Sequence, residues 1–246
     1  MQNDTVTFVI DQKEVRARRG QTILEAAEQA GVYIPRLCHL KGLTPHGSCR
    51  VCTVRVNGRY QAACTYPVAD DLVVENDTEE LRTLRRDLLE MLLVEGNHFC
   101  MFCEKSGHCE LQALAYRHSI AAPKYPHLWP RREVDASHPD VLLDRNRCVL
   151  CGRCVRVSRD VDGKNVFGFV GRGPHRHLGV NSRRGLGGSD LSADDQAVTV
   201  CPVGCLLRKR TAFQVPVGQR RFDRQPIGAE VGAGAGSPQP SESPMQ

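Results

Sequence analysis

The sequence predicts an α+β protein assembled from three small units, and three observations carry that expectation. Apolar residues alternate near the N-terminus, as they do in a hairpin with one buried face. Residues 77–95 switch to the period of an amphipathic helix. Twelve cysteines fall into three separate groups along 246 residues, while aromatic residues make up only 5%. Units with cores this thin need metals, disulfides or a partner to hold them together.

Each element follows from local chemistry. In residues 5–18, TVTFVIDQKEVRAR, Val6, Phe8 and Ile10 share one face and Val15 follows in a second short run, which gives a hairpin. Residues 22–30, TILEAAEQA, form a short helix, with Thr22 and Glu25 as a capping-box pair and Gly31 as its stop. A loop containing Gly, Pro and His leads to a strand at 51–56 and an Asn57-Gly58 turn. Strands, helix and strands in this order make residues 1–77 a ferredoxin-like β-grasp unit. In the helix of 77–95, Leu81, Leu84, Leu88, Met91 and Leu92 are the expected buried face and Gly96 the expected C′ residue. Residues 121–143 are Pro-rich and expected to be extended. Residues 145–160 read as a helical turn around three cysteines, and 171–190, rich in Gly and Arg, read as loop. From Gly228 onward no apolar pattern remains, and disorder is expected. The expected units are 1–77, 78–120 and 121–227, followed by a tail at 228–246.

The N-terminus, MQNDTVTFVI, has neither a basic n-region nor an apolar h-region, and no apolar run approaches the ~18 residues of a membrane span. A cytoplasmic location is expected, where thiols stay reduced and cysteines serve as metal ligands. Nucleotide binding is not expected in this chain. GAGAG at 232–236 is not the dinucleotide fingerprint, and no Walker A pattern occurs. No pairing of nucleophile and general base is visible, so no catalytic residue is assigned.

The third cysteine group carries the most specific signal. Cys148, Cys151 and Cys154 stand as CVLCGRC, and Cys201 follows directly before a proline in CPVGC. This is the run of bacterial ferredoxins, in which three thiolates on a tight turn and a distant Cys-Pro hold a [4Fe–4S] cluster. Zinc sites use separated CxxC pairs instead. The position before proline selects Cys201, leaving Cys205 as a small buried hydrophobe. The first group, Cys38, Cys49, Cys52 and Cys64, is spaced C-x10-C-x2-C-x11-C within the β-rich unit. A [2Fe–2S] cluster is expected there, and a zinc ribbon, which prefers paired knuckles, is the alternative.

The second group, in EGNHFCMFCEKSGHCELQ, has only Cys100, Cys103 and Cys109. Cys205 is distant, and His108 adjoins Cys109 too closely to reach another corner of the same cubane. His98 is therefore the expected fourth ligand of a second [4Fe–4S] cluster. A neutral imidazole in place of a thiolate makes the cluster less negative and raises its potential.

The formal charge of +5 would ordinarily suggest nucleic acid. Three oxidised cores with eleven thiolates bring roughly −5, which leaves the loaded chain near neutral and removes that argument. Arg147, Arg153, Arg156 and Arg159 around the third group are the expected compensating charges.

The order of a C-x10-C-x2-C domain, a His/Cys3 group and CxxCxxC…CPVG resembles the N-terminal part of the large iron–sulfur subunit of respiratory complex I. It is similar also to the N-termini of iron-only hydrogenases and NAD-dependent formate dehydrogenases. A chain of this size with GNHFCMFCEKSGHCELQ resembles, over roughly residues 4–225, the diaphorase iron–sulfur subunit family of soluble NAD-reducing [NiFe]-hydrogenases. In the complex I relatives the His stands four residues before the first Cys of the second group; that position is Gly96 here. The resemblance implies one [2Fe–2S] and two [4Fe–4S] clusters in a subunit of an NAD-reducing hydrogenase. It implies a hetero-oligomer with an FMN/NAD-binding diaphorase subunit and hydrogenase small and large subunits, the last holding the NiFe centre. FMN and NAD would sit only in the partners, and neither nucleic acid nor membrane would be bound. The exposed Arg/His stretch at 172–184 and the segment before Gly228 are the expected docking surfaces. The alternative is an electron-transfer subunit of a formate dehydrogenase or a complex I-like NADH dehydrogenase.

Overall fold

The computed structural model describes residues 4–233. Strands β1 (Thr5–Ile10) and β2 (Lys13–Arg18) pair antiparallel with Phe8 opposite Val15. Asp11 and Gln12 turn the chain with φ of 47° and 70°, the left-handed pair that a two-residue hairpin turn requires. Helix α1 (Ile23–Gln29) begins with the expected reciprocal cap: Glu25 N–H donates to Thr22 Oγ1, and Thr22 N–H donates to the Glu25 carboxylate. The strand expected at 51–56 forms as β3 (Thr53–Val56) and turns through Asn57-Gly58 into β4 (Arg59–Ala62). Strand β5 (Val73–Glu75) runs parallel to β1 and antiparallel to β3, giving the order β2-β1-β5-β3-β4. Helix α1 covers this sheet, and Ile23, Leu24, Phe8, Ile10 and Val54 form a core that also takes in Cys52 and Cys64.

Helix α2 (Glu79–Glu95) is capped by Thr78, but its buried face is Leu81, Arg85, Leu89, Glu90 and Val94. The expected face of Leu81, Leu84, Leu88, Met91 and Leu92 is therefore corrected by about one position. Arg85 replaces water with the Thr53 carbonyl, the Asn76 carbonyl and Asn76 Oδ1, each at 2.8 Å. Glu90 accepts from Arg86 and from the Lys124 N–H. Charged side chains satisfied this way sit on the inner face, where an apolar count cannot find them. Leu88, Met91 and Leu92 instead line a cleft shared with Cys49 and Val149.

Gly96 also differs from expectation. It is the C-cap, with extended backbone at φ −117° and ψ 169° rather than a left-handed turn. Glycine is needed there for space: a Cβ would stand 2.5 Å from His98 Nε2 and 3.0 Å from the Asn146 carbonyl.

The rest of the chain packs around a second core. It contains α3 (Glu110–Arg117), β6 (Val134–Asp135), β7 (Val141–Asp144), α4 (Arg153–Asp160), β8 (Phe167–Val170), β9 (His177–Val180), α5 (Gln196–Thr199) and β10 (Leu206–Arg208). Sheet order is β10-β7-β6, with β8 and β9 as a separate hairpin. The loop expected at 171–190 thus contains a strand. Gly and Arg weaken its propensity signal, but Leu178 is buried and Gly179 lies so close to Val170 that a Cβ would be 2.9 Å from Val170 Cγ1. Two short helices follow, α6 (Arg221–Arg224) and α7 (Ala229–Ala233). Helix α7 corrects the start of the expected disordered tail: Ile227 and Val231 are buried, four residues apart. The remainder of that tail lies outside the described residues.

Leu89, Leu111, Leu114, Val141, Val157 and Leu206 share one core, which also receives Leu37, Leu43 and Val51 from the cysteine loop of the first unit. The segments 78–120 and 121–227 are therefore packed as one body. Among the described residues no helix is long and apolar enough to cross a membrane.

Candidate metal centres

Cys38 and Cys49 lie on the loop after α1, Cys52 at the entrance to β3 and Cys64 just past β4. The structure brings all four together. Cys49 and Cys64 donate to the Cys38 sulfur, and Cys64 donates to that of Cys52, holding the Cys38 and Cys52 thiols below the ordinary value. The same contacts raise Cys49 and Cys64. The Cys38 amide points at Cys49 Sγ from 3.4 Å. Backbone N–H groups aimed at sulfur favour bound thiolate over free thiol.

The third group encloses a small cavity. Cys148, Cys151, Cys154, Cys201 and Cys205 all face it, with Val149, Phe169, Leu178, Val203 and Leu206 completing apolar walls. The loop 148–154 turns through left-handed Leu150 and Gly152, at φ 51° and 69°, before α4 begins. Burial pushes Cys151 up to about 12. Cys201 is held down to about 6, first by the S–H of Cys205 and then by the amides of Leu206 and Val203. Cys205 keeps its proton and donates to both Cys148 and Cys201. It is buried, as a small hydrophobe would be, but it also lines the cavity, which its sequence position did not reveal.

In the second group, Cys100 and Cys103 bracket a 3-10 turn and Cys109 caps α3. Cys109 Sγ accepts the Gln112 N–H at 3.5 Å, and burial raises the thiol to about 12. The His98 ring is largely buried, and its Nε2 has no hydrogen-bond partner. Desolvation lowers its pKa to about 4, so the ring is neutral, the form in which imidazole binds metal. His118 Nε2 and His127 Nδ1 are also unpartnered; His98 is set apart by its place next to the Phe99-Cys100 turn. Gly96→Ala is expected to push the His98 ring aside. Electron paramagnetic resonance (EPR) of the reduced protein should then show one altered or missing cubane signal with the circular dichroism intact. An unchanged spectrum would remove His98 from the ligand set.

Among the described residues no three His, Cys, Asp or Glu side chains converge on a single ion position. Clusters do not ask for such convergence, since each ligand of a cubane binds a different iron. The donor sets of the first and third groups fit clusters, with mostly buried thiols, amide N–H groups directed at sulfur and, in the third, apolar walls; in the second group Cys109 is buried while Cys100 and Cys103 are half-buried.

Contacts between groups set their arrangement. Arg156, on α4, donates to the Cys38 carbonyl at 2.6 Å and the Thr44 carbonyl at 2.7 Å, tying the third group to the first. Arg153, between Cys151 and Cys154, makes a two-pronged ion pair with Glu110, next to Cys109, at 2.6 and 2.7 Å. The Glu110 N–H donates to the Pro202 carbonyl at 2.8 Å, and the Asn97 N–H to the Asn146 carbonyl at 2.8 Å. The third group therefore lies between the other two, against the order of the sequence. Of the four expected compensating arginines, Arg147, Arg153 and Arg156 turn inward, while Arg159 is exposed and pairs with Asp160. Sequence reasoning missed Glu110 and Asn146; an acid directly after Cys109 was the available hint for the first.

Comparison with known proteins matches three regions of the chain. Residues 3–79 match a 2Fe-2S iron-sulfur cluster binding domain. Residues 85–123 match the NADH-ubiquinone oxidoreductase-G iron-sulfur binding region, and residues 138–207 the ferredoxin-like domain of NADH-quinone oxidoreductase subunit 3. The chain is 38% identical over 228 residues to the NAD-reducing hydrogenase HoxS subunit gamma of Cupriavidus necator, covering 92% of this chain and 97% of that one. It is 35% identical over 213 residues to the mitochondrial NADH-ubiquinone oxidoreductase 78 kDa subunit of Candida albicans, but spans only 29% of that protein. A chain in the crystal structure of an NAD+-reducing [NiFe]-hydrogenase in the H2-reduced state superimposes with a TM-score of 0.89 at 49% identity, over 91% of this chain and 96% of that chain.

Proposed function

We propose, for a chain that belongs to the gamma-subunit family of NAD-reducing hydrogenases, that it carries electrons between a flavin- and NAD-binding diaphorase subunit and a [NiFe]-hydrogenase module. The assembled enzyme performs H2 + NAD+ ⇌ NADH + H+, and this chain supplies no catalytic residue to it. One [2Fe–2S] and two [4Fe–4S] clusters make the path. Their ligands are Cys38, Cys49, Cys52 and Cys64; Cys148, Cys151, Cys154 and Cys201; and His98, Cys100, Cys103 and Cys109. A cytoplasmic location accords with this chemistry.

The observation that carries this reading is the chain of direct contacts from the first group through the third to the second. A globule of this length is on the order of 40–45 Å across, and tunnelling falls steeply with distance, so sites in series turn one long path into short hops. The chain's own part is to hold the ligands of each site and to fix the spacing between the sites. At the outer end Met101 and Phe102, 86% and 75% exposed, flank Cys100 and Cys103 and offer an apolar surface for the next carrier.

The test is reconstitution. Without this chain, the diaphorase and hydrogenase subunits should each reduce artificial dyes yet fail to make NADH from H2. Adding the loaded chain should restore coupled turnover. NADH production in its absence would end the proposal. A formate dehydrogenase or complex I-like assembly remains the alternative, and nickel in the purified assembly separates the two. Identities of 38% and 49% to the hydrogenase chains, against 35% to the complex I subunit, favour the hydrogenase.

A further inference from the structure

We infer that Arg147 and Glu104 form an opposed-charge lever on the second cluster site, reaching it from the loop of the third; this rests on Cys103 being a cluster ligand. Arg147 directly precedes Cys148, and its sequence position assigns it to the third site. Its Nη1 instead points at Cys103 Sγ from 3.7 Å. That same nitrogen donates to the Gly204 carbonyl at 3.5 Å and to the Glu104 carboxylate at 2.5 Å, while Nε pairs with Asp144 at 2.9 Å. Ion pairs with Glu104 and Asp144 hold a side chain that is only 20% exposed. The guanidinium cannot swing away to solvent, so its charge stays beside the Cys103 sulfur.

Gly204 shows how tightly this junction is built. A Cβ there would lie 2.8 Å from Cys103 Sγ and 3.2 Å from Arg147 Nη1. The glycine of CPVGC thus lets the backbone of the third site touch a ligand of the second, with Arg147 spanning the seam.

The consequence is electrostatic. Reduction adds an electron to a site already rich in thiolate. A hydrogen bond to ligand sulfur and a fixed positive charge both favour the reduced form, and potentials respond to both. Glu104, paired with the same nitrogen, opposes them with its negative charge. The second site's driving force is therefore set by residues on two different loops, one of which belongs to the neighbouring site. Arg147 is a positioning residue, since it touches ligand sulfur and not substrate.

The experiment is an EPR-monitored redox titration, with iron assay, on the anaerobically purified full chain and on Arg147→Gln, Arg147→Lys, Glu104→Gln and Cys103→Ser. Cys103→Ser identifies the second cluster by the signal it removes; retention of all signals there would overturn the ligand assignment itself. Arg147→Gln is expected to keep the iron and make that cluster harder to reduce by about tenfold, or 59 mV for one electron, with the [2Fe–2S] signal unmoved. Glu104→Gln is expected to shift it the opposite way. Arg147→Lys keeps the charge and is expected to stay near the native potential. If Arg147→Gln loses the cluster, Glu104→Gln decides. Shifts of opposite sign in Arg147→Gln and Glu104→Gln support the lever. An unchanged potential in Glu104→Gln, or shifts of one sign in both, overturns it.

Discussion

Cys201→Ser lowers the iron content from about ten to about six per chain, while Cys205→Ser leaves about ten; this is the expected result of an iron assay on the two purified variants. Both sulfurs face the same cavity, so proximity alone cannot choose between them. Backbone amides do: those of Leu206 and Val203 are directed at Cys201, an acceptor position suited to a bound thiolate. A serine at 201 offers a hard oxygen in place of a soft sulfur, and one cubane should fail to assemble. A serine at 205 still donates from nearly the same place. The reverse pattern of iron loss would exchange the two assignments.

The second large effect concerns stability. Glu110→Ala is expected to destabilise the loaded chain by about 3–5 kcal/mol, since it leaves Arg153 charged, buried and unpaired. The Arg153 side chain is 5% exposed and that of Glu110 19%, so little water is available to replace the lost carboxylate. The pair also clamps the seam between the second and third groups, beside the Glu110–Pro202 backbone hydrogen bond. Arg159→Ala provides the comparison: its pair with Asp160 is exposed and screened by water, so its loss should leave the midpoint nearly unchanged. Replacing Arg153 and Glu110 together by Met and Leu should recover much of the loss, because no unpaired charge remains. Guanidinium unfolding curves of the three variants, taken without oxygen, measure this. Equal midpoints for Glu110→Ala and Arg159→Ala would show that the buried pair does not hold the seam.

Where the physics is local, the sequence was a good guide. The capping box of Thr22 and Glu25 formed as read, because both partners lie within one turn. The hairpin of β1 and β2 formed because alternation alone sorts its two faces. The CVLCGRC loop could be read for the same reason: seven consecutive residues must wrap around one site. Reading failed where a residue answers to something far along the chain. Gly96 does end α2, but as an extended C-cap whose missing side chain leaves space for the His98 ring. The inner face of α2 looked apolar and contains Arg85 and Glu90, satisfied by groups from the first unit and the 120s loop.

By itself, then, the amino-acid sequence determined what this protein holds: three groups of soft ligands with the spacings of one [2Fe–2S] and two [4Fe–4S] sites. Only the tertiary structure decided where those sites stand relative to one another and which charges face them. The third group came to lie in the middle because Arg156 reaches Cys38 across 118 positions and Arg147 reaches Cys103 across 44. Spacing within a motif follows from bond lengths and turn geometry over a few residues. Contacts across such separations follow from how two cores pack, and no periodicity in the chain records that.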